Sequence, residues 1–368
     1  MAHPLAALLA PPPGLEVDFS RPAGAEALVP AGSVSWRVFA NPVTLFIGGV
    51  AAVILELAEP SVRAGVWDHS SFRSDPLTRL RRTGAAAMIT VYAPRETAAA
   101  MIGRVVALHE KVRGELADGT LYHANDPRLL DWVQATASFG FMMAYHHYAA
   151  PLQLEERSAM FAEGVPAARL FGATGAPRSL EEWDALLART LPTHEPSATL
   201  GEFLQIMRST AILPGPLRPL QRLLVRAAIE IVPNQLRERL QLSSGGLRSG
   251  ERLAVSALGC RFPPRHRHKR GGECAPHPPP MPTLGSAEAR EIEARRQAHA
   301  GLDALHLLVG STIRLAPGVV EGSGDEVLEH LLVFGHYQAV INGHAQDAAL
   351  GGAADLHQSA PRRALDLD

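Results

Sequence analysis

Between residues 41 and about 242, apolar positions recur at steps of three and four, with almost no sustained alternation, and prolines and glycines punctuate the runs. This pattern predicts a body built of successive α-helices. Asn41-Pro42 offers a capping side chain followed by a proline at the first helical position, and leads into an apolar run that Pro60 stops. Asp75-Pro76 opens the next helix in the same way, with Leu77, Leu80, Gly84, Ala87, Met88 and Val91 on one face until Pro94. A third helix is predicted over 95–113, closed by Gly114, and a fourth from Asp126-Pro127 toward Tyr148. Further helices are predicted near 154–163, 180–190, 199–209 and 217–240.

After Leu242 the periodicity breaks into Ser243-Ser244-Gly245-Gly246 and then a basic, proline-rich stretch. The chain therefore divides into a flexible leader over 1–35, a helical domain over 36–242, a linker over 243–285 and a weakly helical segment over 286–368. The start of the chain has a short apolar run without a basic region or a cleavage site. The most apolar stretch, 43–58, is shorter than the roughly 20 residues of a spanning helix and contains Glu56, so it reads as a buried core helix.

Composition narrows the function. The 35 basic and 37 acidic residues give a formal charge of −2, so no overall field draws the chain to nucleic acid. Only two cysteines are present, Cys260 and Cys274, which fits a reducing compartment such as the cytoplasm. Histidine is abundant at 16 residues, but most of these lie in the tail, so position matters more than number. The sequence contains no Walker loop, no dinucleotide glycine motif, no His-Glu-x-x-His, no Gly-x-Ser-x-Gly and no Cys-x-x-Cys.

One histidine stands out by its place on a helix. Ala98, Ile102, Val105, His109 and Val112 form a single stripe, which points His109 toward the core. Such an imidazole is either a core histidine bonded to a carbonyl or an axial ligand to haem iron. Arg79 and Thr83, at i and i+4, share a face beside Gly84; they are either a solvated arginine with a self-bonded threonine or polar contacts in a cofactor cavity. Gly48-Gly49, costly inside a helix, signals close helix packing or the approach of a flat cofactor. Gln134 falls among apolar neighbours, and His146-His147 suit the negative end of the fourth helix.

Taken together, three blocks carry a family resemblance. The run from Asn41-Pro-Val through Glu59-Pro-Ser-Val-Arg-Ala-Gly-Val-Trp-Asp-His to Arg79-Leu-Arg-Arg-Thr83 is the first. Leu108-His109-Glu-Lys-Val-Arg-Gly is the second, and Tyr122-His-Ala-Asn-Asp-Pro-Arg-Leu-Leu-Asp-Trp132-Val-Gln the third. Over about 30–242 the chain resembles the mpaB-type oxygenases and the catalytic domain of bacterial rubber oxygenases, also called latex clearing proteins.

The resemblance implies an all-α helical bundle with a globin-like core that binds haem b through one histidine, matching His109. It implies that Arg79 and Thr83 lie on the opposite, distal side. A catalytic carboxylate is implied in the region of Glu59 and Glu56. A lysine that can approach iron in rubber oxygenases is Arg82 here. Many members also carry His-Pro at Glu59-Pro60 and Trp-Val-His at Trp132-Val-Gln134, so those second-layer roles pass to a carboxylate and an amide.

The reading is thus a haem-b-dependent oxygenase. Its catalytic candidates are Arg79, Thr83 and Glu59, and His109 is its iron ligand. It acts on a small apolar substrate, an isoprenoid or other alkene, with O2; it has no nucleic-acid partner and no transmembrane segment, and its electron donor is unspecified. A non-catalytic, globin-like haem and O2 carrier and a haem-free helical carrier of a lipid or terpenoid are the alternatives.

Overall fold

Each of the three Asx-proline pairs caps a helix. Asn41 accepts from the N–H groups of Val43 and Thr44 at 3.1 Å each, Asp75 from Thr78 at 3.2 Å and Asp126 from Arg128 at 2.9 Å. The computed structural model describes residues 24–213, 215–242 and 245–261, together with Val17, Phe19 and Pro22, and Ser249 through its backbone alone. Its helices are α1 (Val34–Phe39), α2 (Pro42–Glu56), α3 (Pro60–His69), α4 (Pro76–Tyr92), α5 (Arg95–His109) and α6 (Pro127–Tyr148). They continue with α7 (Leu154–Phe171), α8 (Leu180–Thr190), α9 (Ala198–Ser209), α10 (Arg218–Glu230), α11 (Asn234–Arg239) and α12 (Ser249–Gly259). Among the described residues the protein is all-α apart from one antiparallel hairpin, β1 (Arg113–Glu115) with β2 (Leu121–His123).

Helix α2 is the axis of the core. A Cβ on Gly48 would sit 2.7 Å from Phe141 Cα, and one on Gly140 would sit 2.5 Å from the Gly48 carbonyl oxygen, so α2 and α6 cross backbone to backbone. Glycine is required at both positions because any side chain would force the helices apart. Around this crossing Ile47, Ile54, Leu55, Met142, Tyr145 and Ala227 are fully sequestered.

A second, smaller hydrophobic cluster closes the turn between α4 and α5. It gathers Leu28, Ile89, Ala93, Ala98, Met101, Ile102 and Ala167. The preceding chain is pinned there as well, through the Ala27–Pro94 bridge and a 2.8 Å bond from Arg95 N–H to the Glu26 carbonyl.

Four features differ from the sequence reading. The third helix ends at His109, and Gly114, expected as its cap, lies in β1, where a Cβ would meet the Tyr122 hydroxyl at 2.6 Å. The hairpin turns at Asp118-Gly119, with Gly119 at φ +86°; strands of three residues are too short to alternate visibly. The helix expected over 217–240 breaks at Pro233 into α10 and α11, because proline supplies no N–H to continue the ladder.

Packing also extends past both expected edges of the domain. Leu28 and Val29, inside the expected leader, are buried, and Trp36 Nε1 donates to the Val29 carbonyl at 2.9 Å. Beyond Leu242, α12 buries Ala254, Val255 and Leu258, and its Gly259 carbonyl accepts from the Asn41 side chain at 2.8 Å. The remainder of the expected linker and the segment over 286–368 lie outside the described residues.

Candidate functional site

Three helices carry a face that neighbouring side chains leave partly uncovered. On α2, Phe46, Gly49, Val53 and Glu56 recur at steps of three and four and keep accessible surface in a helix that, Leu45 apart, is otherwise buried. On α4 the apolar stripe Leu80, Ala87 and Met88 is only half-buried, and a Cβ on Gly84 would find nothing within 4 Å. On α5, Ala98 and Ile102 are buried but Val105 and His109 are not fully covered. Gly49 likewise has room, its nearest would-be contact being the Phe141 ring at 3.7 Å. The two adjacent glycines therefore differ: Gly48 admits no side chain against α6, whereas a methyl at Gly49 would make ordinary contact with Phe141.

The polar residues on these faces are electrostatically coupled. Burial pushes the Glu56 carboxyl up to about 7, against the pull of the Arg79 guanidinium. Burial in turn holds Arg79 below its usual range, opposed by Glu56. The His109 imidazole is held below its ordinary value by burial first and then by Arg79, while the Asn125 amide beside it pulls the other way. His109 is therefore neutral at physiological pH, and its buried Nδ1 has no hydrogen-bond partner. These desolvated groups still keep accessible surface, which makes the region they share the candidate cleft.

Thr83 accepts from an Arg79 terminal nitrogen at 3.1 Å and donates to the Arg79 carbonyl at 3.0 Å, so the pair is locked on its own helix. Arg82 is exposed. Asn125 donates to the Val106 carbonyl at 3.1 Å and to Glu110 Oε2 at 3.0 Å, which ties the chain after the hairpin to the end of α5 that carries His109.

Glu59 lies elsewhere. It is buried at the joint between α2 and α3, where it accepts from Thr193 Oγ1 at 3.1 Å and lies 3.5 Å from Arg128. Of the two carboxylates considered for the site, Glu56 is the one on which Arg79 acts electrostatically. Gln134 faces α7 across a water-sized cavity shared with Ser138, Phe161 and Gly164. His146 Nδ1 accepts from the Leu152 N–H at 2.9 Å, and His147 is exposed.

One buried histidine escaped the sequence reading. His194 is 0% exposed, stacks on Trp132 with ring centroids 4.5 Å apart, and places Nε2 4.0 Å from Glu59. Neither ring nitrogen has a hydrogen-bond partner, and burial, reinforced by Arg239, lowers the ring to about 4. It sits in a short connection before α9, where helical periodicity says nothing about burial; Trp132 itself was the nearest signal.

A family model described as "ER-bound oxygenase mpaB/B'/Rubber oxygenase, catalytic domain" matches residues 36–261. The chain belongs to this family. The match takes in the three faces of the cleft, Glu59, His194 and α12, so the packed helical body is the mpaB/rubber oxygenase catalytic domain and the chain carries an oxygenase domain. No curated protein matches the chain, and no solved structure matches it.

Among the described residues no single helix is long and apolar enough to cross a membrane; α2 and α3 pass on length and composition only as a pair bent by 112°. No three His, Cys, Asp or Glu side chains among the described residues lie close enough to share a metal ion. Haem asks the protein for an imidazole and an apolar cavity. His109 with its Nδ1 unpartnered, half-buried Leu80, Ala87 and Met88, and the open position at Gly84 fit that requirement.

Proposed function

We propose that this domain is a haem-b-dependent oxygenase that uses O2 to oxidise a small apolar alkene of isoprenoid type. The observation that carries the reading is the neutral His109 ring, with its buried Nδ1 unpartnered, sharing one cleft with Arg79 and Glu56. In the proposal His109 holds the iron. Haem supplies the redox chemistry toward oxygen that no side chain of the protein can supply.

The remaining parts follow from the chain. Leu80, Ala87, Met88 and Val53 exclude water and give the substrate an apolar wall. Arg79, locked to Thr83, aims a fixed positive charge into the cleft, where a low dielectric strengthens its action on developing negative charge. Glu56, with a value near 7, can hold or release a proton at its carboxyl oxygens at working pH. Glu56 rather than Glu59 takes the carboxylate role, since it is the one coupled to Arg79.

The test is the absorption spectrum of protein purified with haem supplied, beside that of His109→Ala. The proposal expects a haem band at one equivalent per chain that is lost or shifted in the variant. Purified protein without a haem band would leave the haem-free carrier standing, and an alanine variant with unchanged band and stoichiometry would sink the ligand assignment. Product analysis with isoprenoid alkenes under O2 then separates turnover from mere oxygen binding.

A further inference from the structure

The last turn of α2 ends in carbonyls that an isolated helix would leave unpaired, and here tertiary contacts take them up. Trp132 Nε1 donates to the Leu55 carbonyl at 3.1 Å, an Arg63 terminal nitrogen to that of Leu57 at 3.3 Å, and the Glu195 N–H to that of Ala58 at 3.4 Å. Trp132 has little freedom of its own. Its indole stacks on Trp183 at 5.7 Å and 17°, and the His194 ring stands against it at 4.5 Å. The chain around His194 is fastened in turn, since Thr193 bonds Glu59, and Arg239 donates to the carbonyls of Pro192 and His194.

This assembly grips α2 at Leu55, Leu57 and Ala58, on either side of Glu56. From this arrangement we infer that Trp132, packed against Trp183 and His194, is a positioning residue that fixes the turn of α2 carrying the Glu56 carboxyl. The two polar regions on α2 are thereby one device, in which the buried indole fixes the backbone and the next residue in the chain presents its carboxyl to the cleft. His194 contributes as a rigid, uncharged ring. A protonated ring would bring an unpaired charge into the stack, and its low value keeps it neutral. The inference rests on the reading of Glu56 as a working group of the cleft, but its test does not depend on haem.

The test follows the Glu56 carboxyl by isotope-edited infrared titration of the full chain purified without added haem, with Glu56→Gln identifying the band. Trp132→Phe keeps an aromatic ring for the stack and removes the N–H. Loosening the turn changes the burial of the carboxyl and its distance from the guanidinium, so the Glu56 midpoint is expected to move by half a pH unit or more from the parent. Thr193→Val, which removes the bonds of one hydroxyl to Glu59 and to the Thr190 carbonyl at the rim of the assembly, is expected to move it by a smaller amount and serves if Trp132→Phe does not fold. A midpoint unchanged in whichever variant folds overturns the inference, even if thermal stability falls. A missing haem band in the parent would instead count against the function proposed above and leave this result intact.

Discussion

Helix α2 has two unlike sides, and the difference separates what holds the protein together from what it works with. Toward α6 the backbones touch at Gly48 and Gly140, and no atom can be added. On its other side the same helix presents Val53 and Glu56, which keep accessible surface. Apolar residues line both sides, so hydrophobicity alone does not tell a sealed interface from a cleft wall. What distinguishes them is whether a neighbour arrives within van der Waals distance.

Alanine substitutions should separate the two sides most sharply. Gly48→Ala or Gly140→Ala drives a methyl into backbone and should cost about 1–3 kcal/mol or more by overpacking, read in urea unfolding. Gly84→Ala meets nothing and removes a helix-interior glycine, so it should raise stability by up to about 1 kcal/mol. Equal losses at the two kinds of site would erase the distinction.

The two buried titratable groups should pull stability in opposite directions with pH. His194 is depressed from 6.5 to about 4, so the folded state binds fewer protons than the unfolded chain in that window. The stability it protects is fully present above pH 6.5 and falls as pH drops toward 4, by an amount on the order of 3 kcal/mol. His194→Phe should flatten that limb of a stability-against-pH curve. Glu56 is raised from 4.5 to about 7, so its contribution is present below pH 4.5 and is lost as pH climbs through 7. The two windows overlap between pH 4.5 and 6.5 and oppose each other there, so Glu56→Gln should remove the loss toward pH 7 and leave the His194 slope steeper.

The smallest effect is expected at Thr83. Thr83→Val removes a hydroxyl that is exposed and bonded only to Arg79, so thermal unfolding should change by no more than about 0.5 kcal/mol. Because the same change frees Arg79 in the cleft, it should alter turnover far more than stability. A variant that loses both in proportion would make Thr83 a structural residue.

Helix starts were legible because capping is local chemistry, readable in the pairs at Asn41, Asp75 and Asp126. The placement of His109 and Glu56 was partly legible, since periodicity gives the face of a helix but not what stands opposite. The α4 stripe illustrates the limit: Leu80, Gly84, Ala87 and Met88 have the spacing of a core face, yet protein covers them only in part. His194 was not legible at all. Its burial follows from Trp132 and the α2–α3 joint, both far away in sequence, and from no pattern in its own neighbourhood. The hairpin was signalled only by Asp118-Gly119 and was outweighed by the helical run before it.

The small cluster at Pro94 gives the α4–α5 pair the character of a jaw fastened at one end. Its hinge end is clamped by Leu28, Ile89, Met101, Ile102 and Ala167, while the tips carry Arg79 and Thr83 on one arm and His109 on the other. Amide protons near Ile89 and Ile102 should accordingly exchange more slowly than those near Thr83 and Val105, where fewer buried contacts must open. The gape of the site is thus governed from a hydrophobic pivot several helical turns away, and a substitution there such as Met101→Ala would be felt at the tips.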